Sequence, residues 1–260
     1  MEDKKLVGFG RLLEIMDELR LKCPWDKVQT NGTLRHLTIE EVYELSEAIL
    51  SDDSDAICGE LGDLLLHVVF YAKIGSENER FSIETVIEKL CEKLIRRHPH
   101  IYGTVEADNV EVVKQNWEQI KLKEGSGSVL KGVPAGLPAM IKAMRIQEKV
   151  ASVGFDWEKA EDVLDKVAEE IGEVKVELQN QDSEKLTEEI GDMFFALINF
   201  ARFVGVNAED ALEMTNKKFI KRFQFIEGKG LEMNKLINEM TVEEMNIYWE
   251  ESKATSLHSH

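Results

Sequence analysis

The sequence predicts an all-α protein built as a tandem repeat, on three observations. The acidic string Glu40-Glu41-Val42-Tyr43-Glu44, fifteen residues, then Glu60-Leu61-Gly62-Asp63, recurs as Glu169-Glu170-Ile171-Gly172-Glu173 and Glu189-Ile190-Gly191-Asp192 at a constant offset of 129 residues. Apolar residues around the second string keep a helical period: Val163, Val167, Ile171, Val174 and Leu178 step by four, four, three and four, and Leu186, Ile190, Met193, Leu197 and Val204 are compatible with it. No stretch alternates apolar and polar residues as a half-buried strand would. A helix pair cannot close a core alone, so each half is expected to form a four-helix-bundle type core, completed by dimerisation.

Taken in order, Leu12, Ile15, Met16 and Leu19 define a first helix over 11–21, ending near Cys23-Pro24-Trp25-Asp26. Residues 27–33, with Gly32, read as a loop; the first acidic helix spans about 33–50 and its partner 52–73, broken by residues 75–80. A helix over 82–97 is capped by Ser82 and stopped by His98-Pro99-His100; another over 109–123 carries Trp117-Glu118-x-x-Lys121. Gly125-Ser126-Gly127-Ser128 and Gly132-Val133-Pro134-Ala135-Gly136-Leu137-Pro138 make the long Gly, Ser and Pro cluster. It divides the chain into a domain over 1–124, a linker over 125–138 and a domain over 139–260. The plan then repeats: a helix over 139–152, a loop with Gly154-Phe155-Asp156-Trp157, the second acidic hairpin, a helix over 207–225, and a terminal Trp249-Glu250-x-x-Lys253.

Composition limits the function. A formal charge of -18 repels a polyphosphate backbone, which argues against a general nucleic-acid binder. Cys23, Cys58 and Cys91 form no Cys-x-x-Cys pair and suit a reducing cytosol as core residues. The N-terminus lacks an apolar signal region and no run of 18 apolar residues is present, so a cytoplasmic protein without a membrane anchor is expected.

The chemistry is expected at the hairpins. Glu173 and Glu189 are equidistant from Gln181, as are Glu170 and Asp192; in an antiparallel pair, equal counts from the turn mean equal heights. Glu44 with Glu60, and Glu41 with Asp63, are centred on Asp52 in the same way. Four facing carboxylates repel unless a cation compensates them, and all-oxygen ligands select Mg²⁺ or Mn²⁺. A solvated acidic face would not repeat mirror symmetry about a turn, and a di-iron bundle would need a Glu-x-x-His that neither half supplies. Gly62, Gly172 and Gly191, costly inside helices, predict a close approach by a neighbouring helix or ligand. Lys218 and Arg222, four apart and preceded by Asn216, suit phosphate oxygens, as do Lys93 and Arg97 in the first half; Lys185 adds a third cation, and Trp249 could stack on a base or ribose.

Together the double acidic hairpin, Cys23-Pro24-Trp25-Asp26, Arg96-Arg97-His98-Pro99-His100 and the terminal Trp-Glu-x-x-Lys resemble the MazG family of nucleoside triphosphate pyrophosphohydrolases, over almost the whole chain. The resemblance implies an all-α, dimeric, Mg²⁺-dependent enzyme that cleaves nucleoside triphosphates to the monophosphate and pyrophosphate, in nucleotide-pool cleaning or regulation. It implies that Glu170, Glu173, Glu189 and Asp192 hold metal, that Lys185, Asn216, Lys218, Arg222, Trp249 and Lys253 meet the nucleotide, and that Glu169 supports the ligands or acts as base. Glu41, Glu44, Glu60 and Asp63 preserve a second metal set, but Ala56 stands where the other half has Lys185 and Cys91 where it has Asn216. The first half is therefore expected to handle nucleotide less well. His98 and His100 are read as structural. The rival expectation is a non-catalytic nucleotide sensor or partner-binding scaffold using the same pocket.

Overall fold

The computed structural model describes residues 3–105, 109, 112, 113, 116, 117, 120 and 128–256. Those residues form helices, turns and coil, with no strand among them. The chain divides into two compact units, Met1–Ala107 and Asp108–His260. The motif partners Glu118 and Lys121, the linker start at 125–127 and most of the helix expected over 109–123 lie outside the described residues.

In unit 1, α1 (Lys4–Lys22) begins earlier than the sequence suggested because the Asp3 side chain accepts the Lys5 backbone N–H. A single turn, α2 (Pro24–Lys27), starts at the proline, whose missing N–H is not needed there. The expected loop over 27–33 is shorter than predicted. Thr30 and Thr33 form a reciprocal capping box, so α3 (Asn31–Leu50) starts at Asn31 despite two poor helix formers. The partner helix α4 (Ser54–Glu77) runs through Gly75, which was read as a break. There the Phe81 ring would lie 2.6 Å from a Cβ, so the glycine admits the ring instead of ending the helix. Helix α5 (Ile83–Arg97), capped by Ser82, and the short α6 (Pro99–Tyr102) follow. Met16, Leu34, Val69, Phe70 and Ile74 make the core, with Leu37 and Leu66 packed against it.

Unit 2 contains α7 (Ala139–Ala151), α8 (Ala160–Asn180), α9 (Ser183–Phe203), α10 (Ala208–Glu232), a 3₁₀ turn (Ile237–Glu239) and α11 (Val242–Ser256). Helix α10 continues past the expected end at Phe225. Pairs α8–α9 and α10–α11 pack closely, and α7 lies against α9. Buried Val163, Val167, Ala196 and Ile198 fix the α8–α9 hairpin. No described helix is long and apolar enough to cross a membrane.

Candidate active site

Each acidic hairpin is set by its turn. Gln181 ends α8 in the left-handed region at φ 58°, and the Asp182 carboxylate accepts the Lys185 backbone N–H at 3.1 Å to cap α9. In unit 1, Asp52 takes the same conformation at φ 53°, and Asp53 accepts the Asp55 and Ala56 backbone N–H groups. Equal turns bring side chains at equal counts level. One carboxylate oxygen from each of Glu170, Glu173 and Glu189 lies within 4.8 Å of the other two, and Glu41, Glu60 and Asp63 gather likewise. Glu44 and Asp192 stand outside these tightest groups; Glu44 still acts on Glu41 through its charge, and Asp192 lines a cavity beside Glu170.

The two clusters differ in what balances them. Glu170 is 5 % exposed; one oxygen sits 2.7 Å from the Lys166 ammonium, while its Oε2 is buried with no hydrogen-bond partner. A hydrogen bond with Glu170, then loss of hydration and the negative charges of Glu170 and Glu189, push the Glu173 carboxyl up. Lys166 also holds Glu169 at 2.7 Å, and those two carboxylate hydrogen bonds hold its ammonium above the usual range. Glu169, a candidate base in the sequence reading, is thus engaged in an ion pair. In unit 1, Leu37 occupies the Lys166 position, 129 residues earlier. His67 lies there instead, its Nε2 4.0 Å from Glu41 and its Nδ1 2.9 Å from the Thr38 hydroxyl. Burial pushes the imidazole down, opposed by Asp63, so it remains neutral near neutral pH. Burial foremost, then the charges of Asp63, Glu44 and Glu60, push Glu41 up.

These sets fit a hard divalent cation. The donors are carboxylate oxygens, one buried oxygen has no proton donor, and a neighbouring carboxyl is driven towards protonation, which a +2 charge would reverse. An orphaned buried acceptor of this kind costs about 1–3 kcal/mol.

Beside the unit 2 cluster opens a cavity of about 570 Å³, walled by α7, the loop carrying Phe155 and Trp157, and α9, and reaching Lys166, Glu170 and Asp192. Arg202 ties the loop down by donating to both Asp156 carboxylate oxygens, at 3.0 and 2.5 Å, and also donates twice to Asn199 Oδ1. Gln147, 3 % exposed, donates Nε2 to the Phe195 carbonyl at 2.8 Å, and its Oε1 is buried without a partner. The sequence reading passed over Lys166, Gln147, Asn199 and Arg202. Lys166 alone carried a signal, one helical turn before Glu170.

The expected cationic and aromatic group forms a separate cluster on α10 and α11. The Arg222 guanidinium lies 5.6 Å from the Trp249 ring centroid, and Phe219 packs on Trp249 with centroids 5.1 Å apart. Asn216 donates to Glu213, and Lys253 pairs with Glu250 at 2.6 Å. Lys185, Asn216, Lys218, Arg222, Trp249 and Lys253 are all absent from the cavity lining. His98 caps α5 through a 2.6 Å Nδ1 contact to the Leu94 carbonyl, as a structural histidine would. At Gly62, Gly172 and Gly191 an added Cβ would meet nothing within 4 Å, so no neighbouring helix of the described residues makes the approach expected there.

Residues 29–102 and 158–224 match the model of the MazG nucleotide pyrophosphohydrolase domain, once in each unit and across each acidic hairpin. The nucleoside triphosphate pyrophosphohydrolase of Escherichia coli strain K12 is 44 % identical over 94 % of this chain and 96 % of its own. The nucleoside triphosphate pyrophosphohydrolase/pyrophosphatase MazG of Thermotoga maritima is 41 % identical over 94 % and 95 %. The Bacillus subtilis protein YabN is 43 % identical over the whole of this chain and 55 % of its own length.

Proposed function

This chain belongs to the MazG nucleotide pyrophosphohydrolase family, and from that premise we propose that it hydrolyses nucleoside triphosphates to the monophosphate and pyrophosphate in unit 2. The observation that carries the reading is the Glu170, Glu173 and Glu189 cluster, with its buried unpartnered oxygen, opening onto a cavity of about 570 Å³. Glu170, Glu173, Glu189 and Asp192 hold Mg²⁺, for which Mn²⁺ can substitute. The bound ion supplies charge neutralisation and Lewis acidity at the phosphates. Lys166, fixed between Glu169 and Glu170, keeps a positive charge at the cavity end. Lys185, Lys218 and Arg222 offset charge developing on the phosphate oxygens, with Asn216, Trp249 and Lys253 beside them. A carboxylate of the set orients the attacking water and takes its proton, so no covalent nucleophile is needed. Glu169 can serve only by loosening its pair with Lys166.

Unit 1 keeps Glu41, Glu44, Glu60 and Asp63 but has Leu37 for Lys166 and Ala56 for Lys185, and its role is in stability or assembly. Phe194 and Leu197 on α9, Val176 and Leu178 on α8, and Phe219 and Ile220 on α10 are exposed, which supports burial against a second copy as a homodimer. The setting is the cytoplasm, in nucleotide-pool cleaning or regulation.

Product identification tests the reaction: ATP is expected to give AMP and pyrophosphate, and ADP with orthophosphate as primary products would defeat the reading. Activity is expected to vanish in excess EDTA and return with Mg²⁺ or Mn²⁺. Binding of ATP without turnover would favour a nucleotide sensor instead.

A further inference from the structure

The cavity in unit 2 holds one polar atom that the reaction does not use. Gln147 sits on α7 at 3 % exposure, on the cavity wall, and its amide orientation is fixed: Nε2 donates to the Phe195 carbonyl at 2.8 Å, and turning the amide over would set two acceptors against each other. Oε1 is thereby left as a buried acceptor with no donor. Buried acceptors normally find a partner. The rest of the wall is largely apolar, with Val150, Phe155 and Trp157 as flat or aliphatic surfaces, while Lys166, Glu170 and Asp192 close one end. Asn199, also on the wall, spends its Oδ1 on two Arg202 N–H groups, so it offers the cavity a donor and not an acceptor.

We infer that this cavity receives the nucleobase, and that Gln147 Oε1 accepts an N–H from the edge of the base remote from the sugar. This rests on the reading of the adjacent carboxylates as the triphosphate site. A planar heterocycle suits the aromatic rim, its N–H satisfies the orphaned oxygen, and its triphosphate extends towards the carboxylates. Every common nucleobase carries an N–H on that edge, so Gln147 selects for a base without choosing among the common ones. A ligand with no such N–H leaves the acceptor buried and unpaired, which is how sites built around a hydrogen bond reject analogues.

The test compares ATP with purine riboside triphosphate, which retains the purine ring and N1 but lacks the exocyclic amine. With the full chain and Mg²⁺, kcat/KM is expected to favour ATP at least tenfold, and the Gln147→Met variant is expected to bring that ratio close to one. Equal use of the two nucleotides by the wild-type chain, or retention of its ratio by a folded Gln147→Met, overturns the inference. The wild-type comparison stands even where the variant fails to fold. Equilibrium binding of the α,β-methylene analogues of both nucleotides, read by calorimetry, separates this inference from the proposed reaction. A tenfold binding preference without turnover upholds the base site and defeats the hydrolase reading, whereas turnover with no preference in binding does the reverse.

Discussion

The two acidic hairpins of this chain share a turn, a residue count and a carboxylate pattern, yet the space beneath them is filled differently. Positions 129 residues apart make the contrast. Lys166, Phe195 and Asn199 face a cavity in unit 2, and Leu37, Leu66 and Phe70 belong to the packed core of unit 1. Arg202, which ties down the Asp156 loop, corresponds to Lys73, which pairs with Asp17 at 2.6 Å on α1. Helix geometry can thus be preserved while the volume a ligand would need is given over to apolar packing. The difference also reaches the charge. Unit 2 holds a permanent cation against its buried carboxylate, and unit 1 offers a histidine that burial keeps neutral.

The largest expected effect breaks the comparison at its core. Phe70→Ala removes a side chain that is 3 % exposed and should cost unit 1 about 3–5 kcal/mol. The counterpart Asn199→Ala should cost about 1 kcal/mol or less. Denaturant unfolding checks both, and equal losses would mean that the two interiors are alike. Next comes catalysis. Glu170→Gln or Glu189→Gln should lower kcat by about tenfold to a hundredfold or more, whereas Glu41→Gln or Glu60→Gln should retain most activity. Circular dichroism should establish folding before rates are compared; folded unit 1 variants that fall as far as those of unit 2 would make both hairpins catalytic.

A smaller effect concerns the ion. Mg²⁺ at about ten times its Kd should stabilise unit 2 by about 1.4 kcal/mol, and Glu170→Gln should abolish that gain in a thermal melt. An undiminished gain in the variant would place the ion elsewhere. The smallest is a pH effect confined to unit 1. The Arg20 guanidinium, hydrogen-bonded to Glu77, holds that carboxyl below its usual range. The unfolded chain then binds more protons than the folded one as pH falls through the carboxylate range. The stabilisation is present near neutrality and is lost towards acid. Glu77 is partly exposed, so the loss should stay under about 1 kcal/mol, and Glu77→Gln should flatten the acid limb of stability against pH.

The hairpins were legible because helical period and distance from a turn are both counted along the chain. Helix ends were less so. Asn31 and Gly32 have low helix propensity, but the Thr30 and Thr33 capping box overrides it; Gly75 looks like a breaker until the Phe81 ring is placed against it. Lys166 was readable as the cation one turn before Glu170, but it was absorbed into an acidic face. Gln147 could not be read, because an unpartnered acceptor exists only once α7 has been packed on α9 and the Phe195 carbonyl has taken the other half of the amide.

The turn residues Asp52 and Gln181, both with positive φ, have a consequence for how these hairpins can vary in length. One residue added at such a turn would shift the following helix by about 100° in phase and about 1.5 Å along its axis. The second row of carboxylates would then rotate out of register with the first, while the helices themselves stayed intact. Surface loops generally tolerate insertion. This one behaves as the key of a gear pair: short, solvent-facing and free of chemistry, it sets the tooth that meets the tooth opposite.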